Sequence, residues 1–131
     1  MIMDAKFAVV TPGLSEDLVT SGTTPLISDY IDVKSAGYTD AGGELYLYVR
    51  VKATTAAAGA SFLFEIQSAT TAGGSYVTAE ARTVLLAQIV AGKEIMKLPI
   101  PPGMNQFWKI QITGASGMTG GATFNMAIIP E

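Results

Sequence analysis

The chain has 131 residues, 49% of them hydrophobic and only 15% charged, with a net charge of −3. It contains no His and no Cys, which removes imidazole general-base chemistry, thiol nucleophiles, disulfides and nearly every usual zinc site. One domain with a real core is expected at this length, disorder is not, and no basic cluster exists to neutralise nucleic-acid phosphates.

The N-terminus is interrupted by Asp4 and Lys6 before an apolar run forms, so no signal peptide is expected. No run approaches the roughly 20 apolar residues of a membrane helix. A short strand is predicted at 6–10. Residues 11–28 carry Pro12, Gly13, Gly22 and Pro25 and have no clean period, which predicts an extended arm or long loop crossing the domain. A second short strand is predicted at 29–33.

Periodicity then becomes plain. In Glu44 to Lys52 the aliphatic Leu45, Leu47, Val49 and Val51 alternate with Tyr46, Tyr48, Arg50 and Lys52, the period-two pattern of a half-buried strand. Ser61 to Gln67 repeats it with Phe62, Phe64 and Ile66 on one side. Between them, the low-complexity stretch 53–60 reads as a loop. Strands are also predicted at 75–80, 82–87 and 94–100. The run Ala79 to Val90 is the one helical candidate, but Gly92 stops it early, and a buried strand followed by a turn is the favoured reading. In 106–112, Trp108, Ile110 and Ile112 oppose Lys109 and Gln111. In 122–129, Phe124, Met126 and Ile128 alternate with Thr123, Asn125 and Ala127. Gly-rich breakers separate these segments, and short strands with frequent turns indicate a sandwich or barrel.

Candidate chemistry is sparse. Asp29 with Asp32, and Asp40 with Glu44, lack the alternating acidic pattern of a calcium loop and read as solvated turn residues. No G-x-S-x-G occurs, and a Ser-His-Asp relay cannot be built without His. Gly73-Gly74 and Gly120-Gly121 lack phosphate-loop spacing. No catalytic residue, cofactor or metal is therefore expected, and the chain does not read as an enzyme. Tyr46 and Tyr48, opposite the aliphatic stripe, and the single Trp108 are more informative. Exposed aromatics on a sheet either form a protein interface or stack on sugar rings; alternatively both faces of the strand are covered.

From Asp29 to Ile129 the ordered series of local patterns resembles the jelly-roll cement (decoration) proteins of tailed-phage capsids. The series runs through Asp29-Tyr30-Ile31-Asp32-Val33, Gly43 to Val49, Ala58-Gly59-Ala60-Ser61 into Ile66-Gln67-Ser68-Ala69, and Ala91-Gly92 before Leu98-Pro99. It continues with Pro102-Gly103 before Phe107 to Ile110, and closes with Met118-Thr119-Gly120-Gly121 before the final strand. Each piece is ordinary turn grammar, and the specificity lies in order and spacing. The neutral loop Ser68 to Gly74, where relatives often carry acidic residues, and the paired Pro101-Pro102 depart from the pattern. The first 28 residues match nothing in it.

The resemblance implies an all-β, jelly-roll-like β-sandwich of about eight antiparallel strands, residues 29–131, to which residues 1–28, read from their own irregular sequence, add an extended N-terminal arm. It implies a structural protein on the outer capsid surface of a virion, made in the host bacterial cytoplasm. Its partners would be the major capsid protein and itself, as homodimer or homotrimer, with no nucleic acid and no membrane. The candidate interface residues are Leu14, Leu18 and Val19 of the arm, with Tyr46, Tyr48 and Trp108. The alternative expectation is a phage tail or surface β-sandwich module that binds carbohydrate.

Overall fold

The computed structural model describes residues 8–10, 17–33, 45–54 and 61–130. Among these residues ten strands follow in order: β1 (Ala8–Val9), β2 (Leu18–Val19), β3 (Leu26–Ile27), β4 (Ile31–Asp32), β5 (Leu45–Thr54), β6 (Ser61–Ala69), β7 (Val77–Leu85), β8 (Glu94–Pro99), β9 (Phe107–Gly114) and β10 (Ala122–Pro130). The four segments with the plainest alternation are β5, β6, β9 and β10, each placed within two residues of its predicted ends.

The strands form two antiparallel sheets. Sheet I has the order β1–β10–β5–β8, with β2 also pairing β10; sheet II has the order β3–β9–β6–β7, with β4 also pairing β9. The chain crosses between sheets at every connection between long strands except the β6–β7 hairpin. Eight sheet positions result, two of them filled by pairs of two-residue strands, and this connectivity is that of a jelly roll.

The core follows from strand parity. Leu45, Leu47, Val49 and Val51 of β5 point inward, as do Phe62, Phe64 and Ile66 of β6, Trp108, Ile110 and Ile112 of β9, and Phe124, Met126 and Ile128 of β10. Phe124 of sheet I meets Phe62 and Phe64 of sheet II edge-to-face, with centroids 5.4 and 5.1 Å apart. Such pairs add about 0.5–1.5 kcal/mol beyond the area they bury.

The segment predicted as an arm is, over residues 17–28, sewn into both sheets. Its fastenings are two buried hydroxyls. Thr20 Oγ1 accepts from the Ala122 amide at 2.8 Å, while the Thr20 amide donates to the Ala122 carbonyl at 2.9 Å. Ser28 Oγ accepts from the Ile110 amide at 2.9 Å, and the Ser28 amide donates to the Ile110 carbonyl at 2.9 Å. The first joins the segment to β10 and the second to β9, where the two-residue strands leave the ladder incomplete. Gly121 permits the first approach: a Cβ there would collide with the Thr20 carbonyl oxygen.

Two expectations need correction. The stretches 75–80 and 82–87 are one strand, β7, in which a bulge at Ala79 interrupts an otherwise continuous ladder with β6. That strand is not buried. Of its nine residues only Val84 reaches the core, because β7 is the edge of sheet II, and a 3₁₀ turn at Leu86–Gln88 follows it.

Removing the central ring, Phe124→Ala, is expected to cost roughly 3–5 kcal/mol and to be read as a large drop in the urea midpoint. Thr20→Val and Ser28→Ala each strand a buried amide, and each is expected to cost about 1–3 kcal/mol in the same measurement. Wild-type midpoints in both hydroxyl variants would show that these fastenings do not hold the segment.

Candidate interaction surface

The outer face of sheet I collects three of the six candidate residues. Tyr46 and Tyr48 leave β5 on the side away from the core and are half-buried. Register places Ile129 opposite Tyr46 and Ala127 opposite Tyr48, and both β10 residues are buried although their parity is outward. From the other side of β5, Lys97 of β8 reaches over the rings, its Nζ 4.6 Å from the Tyr46 centroid and 5.8 Å from that of Tyr48. Each such cation–π contact is worth about 0.5–1 kcal/mol at a surface. Tyr46 and Tyr48 thus lie half-buried beside the covered Ala127 and Ile129, with one cation over their rings.

Val19 occupies the same face at the far end of β10, where it lies opposite Thr123 and is 58% exposed. Beside it runs a shallow groove of about 130 Å³, bounded by Val19–Thr20, Ala53–Thr54 and Gly121 to Thr123. No side chain in that lining titrates, so the groove offers shape and hydroxyls rather than acid–base chemistry.

Leu18 and Trp108 do not belong to any surface. Both are fully buried. Leu18 lies opposite Phe124 and shares its inward parity, one residue from the exposed Val19. Trp108 shares the inward parity of Ile110 and Ile112, and its Nε1 donates to the Asn105 carbonyl at 2.7 Å. Their role is packing. Leu14 lies outside the described residues, as do Asp40 and Glu44.

A second aromatic group, absent from the sequence-based candidates, sits on the outer side of sheet II. Tyr30 meets Phe107 edge-to-face at 5.5 Å, and Lys109 Nζ lies 4.5 Å from the centroid of Tyr76. The Tyr76 hydroxyl donates to the Ala72 carbonyl at 2.8 Å, and its pKa is raised by burial, then by the nearby Tyr30 and Asp29. Phe107 was legible as an outward residue, since it shares the parity of Lys109 and Gln111. Tyr30 and Tyr76 lie outside the long alternating segments, and only the fold brings them together.

The carboxylates hold structural posts. Asp32 accepts from Gln106 Nε2 at 2.8 Å, and Asp29 Oδ1 accepts from the Tyr30 amide at 2.9 Å. Asp17 accepts from Lys52 Nζ at 2.8 Å and from Asn125 Nδ2 at 3.0 Å, tying the entry of β2 to β5 and β10. Among the described residues no group of three or more acidic side chains gathers as a metal site would need. No helix among them is long and apolar enough to cross a membrane.

Compared with known proteins, the chain matches no family model and no curated relative.

The Lys52 and Asn125 hydrogen bonds hold the Asp17 pKa below its ordinary value. A depressed carboxylate stabilises the fold above its unfolded pKa and loses that contribution as pH falls through the folded one. Asp17→Asn is therefore expected to lower the melting temperature slightly at neutral pH, with the difference from wild type shrinking below about pH 4. A difference that stayed constant from neutral to acidic pH would exclude the ionised carboxylate as its source.

Proposed function

We propose that the chain is a structural cement (decoration) protein, which binds the assembled major-capsid lattice of a tailed phage from outside and stabilises it. The observation that carries this reading is the placement of the ordered motifs. Of the segments that resemble cement proteins, the described ones lie on the short β4, on the long strands β5, β6, β8, β9 and β10, and on described turns between them in a two-sheet jelly roll. A fold alone does not specify a function. Two further features support the reading: a surface poor in charge, which suits contact with other subunits, and the half-buried pair Tyr46 and Tyr48.

The mechanism is mass action. A protein that binds the lattice and not its dissociated subunits stabilises the shell by about 4 kcal/mol per site at ~1,000-fold saturation. Repetition over a symmetric shell adds avidity wherever two copies are linked. In this reading the outer face of sheet I makes the contact, with Val19 at one end and the tyrosine pair at the other. The carbohydrate alternative has less support, since Trp108, the obvious stacking platform, presents no face to a sugar.

The test uses empty shells assembled from the major capsid protein of the parent phage. The chain is expected to co-sediment with shells, to raise their melting temperature, and to ignore unassembled subunits. Deleting the first 20 residues would remove core Leu18, so point changes are the cleaner probe. Val19→Asp and the pair Tyr46→Ser with Tyr48→Ser are each expected to weaken shell binding at least tenfold, a loss of roughly 1.4 kcal/mol or more. Absence of co-sedimentation, or equal binding to unassembled subunits, would overturn the proposal.

A further inference from the structure

Strand β7 is the longest edge strand of the described structure, and no described strand pairs with its outer side. Eight of its nine residues are exposed, including Val77 at 68% and Leu85 at 59%. An edge of this kind is a template for pairing with another chain.

The backbone phase of that edge is set by two hydrogen bonds. The Ala81 amide donates to Glu80 Oε1 and the Leu85 amide to Gln88 Oε1, each at 3.1 Å. Both amides therefore find acceptors away from the ladder with β6. In an antiparallel strand alternate residues face alternate neighbours, so Ala81, Thr83 and Leu85 present their backbone groups to the open side.

We propose that this edge pairs with the β7 edge of a second copy, antiparallel, about a two-fold axis at Ala81. Ala81 of each copy would exchange both backbone hydrogen bonds with Ala81 of the other, and the two sheets II would become one continuous sheet. The register follows from charge. Glu80 and Arg82 are the only charged residues of β7 and flank Ala81 on one face, opposite Ile66 and Phe64 of β6. A two-fold at Ala81 sets Glu80 of each copy directly opposite Arg82 of the other, twice. An axis at Glu80 would oppose two carboxylates, and one at Arg82 would oppose two guanidiniums. Opposite charges directly across a sheet stabilise pairing, and like charges there disfavour it. In the pair, the neighbouring Ala81 carbonyl replaces Glu80 as acceptor for the Ala81 amide and frees the carboxylate to meet Arg82. The bulge at Ala79 turns Val77 to the face opposite Leu85.

This inference stands apart from shell binding, because it is tested on the purified full chain alone. Sedimentation equilibrium from about 1 to about 100 µM is expected to show a monomer–dimer equilibrium. Glu80→Arg is expected to weaken the dimer at least tenfold, and Glu80→Arg combined with Arg82→Glu to restore it. Ala81→Pro is expected to give a folded monomer, since proline is tolerated where the amide faces the open edge; circular dichroism checks the fold of each variant. A monomer throughout, a trimer, or a dimer unaffected by Glu80→Arg would overturn the proposal.

Discussion

Two small sheets stay together only if their inner faces exclude water, and here the join centres on one ring. Phe124 leaves β10 in sheet I and meets Phe62 and Phe64 of β6 in sheet II. Along β5, β9 and β10 the inward residues extend that contact from Leu45 to Ile112 without a buried ion pair. Each fully buried aliphatic or aromatic side chain contributes about 1.5–3 kcal/mol relative to exposure. No described buried side-chain polar atom lacks a partner, so the gain is not spent on stranded groups. Everything else on the molecule depends on that seam, because the short strands have too few ladder hydrogen bonds to stand without it.

The four N-terminal strands illustrate the dependence. β1 to β4 are two residues each and could not persist as an isolated sheet. They persist because Val9, Leu18 and Ile31 insert into the seam, and because Thr20 and Ser28 complete the ladders of β10 and β9. A hydroxyl serves here where a strand residue would not: it accepts an amide proton while the backbone turns from one sheet to the other. The segment is thus an integral border of the sandwich over its described length, and the contact surface it offers shrinks to single outward residues such as Val19.

Parity explains what the sequence made legible. Where alternation ran for seven or more residues, both the strand and its inward face could be read, and Trp108 could have been assigned to the core from its phase with Ile110 and Ile112. Its chemical type suggests an interface, but its position in the alternation decides for the core. Leu18 could not be settled that way, since a two-residue strand has no period. The run Val84-Leu85-Leu86 misled for a different reason. Three adjacent apolar residues suggest burial on both faces, yet edge placement buries Val84 and leaves Leu85 in solvent. Edge or centre is a property of topology, and the connections that decide it are not written in the strand itself. The aromatic group of Tyr30, Tyr76 and Phe107 was hidden likewise, being assembled from three separate stretches of chain.

Topology also distributes the open edges unequally. On one side of the sandwich, two-residue strands and their hydroxyl fastenings break the edge of each sheet into pieces too short to template another chain. On the other side, β8 is six residues long and ends in Pro99, which cannot donate. β7 has neither protection: it is nine residues long and contains no proline and no lysine. Its one irregularity, at Ala79, lies near the start and leaves residues 80–85 in regular register with β6. Proteins ordinarily blunt such an edge with charge of one sign, whereas β7 carries one charge of each sign two residues apart. A single sign at both positions would repel a second copy centred on either residue or between them. Two opposite signs around a small central residue repel a copy centred on either charge and accept one centred between them. The edge is therefore selective, and its selectivity is directed at a strand of its own sequence.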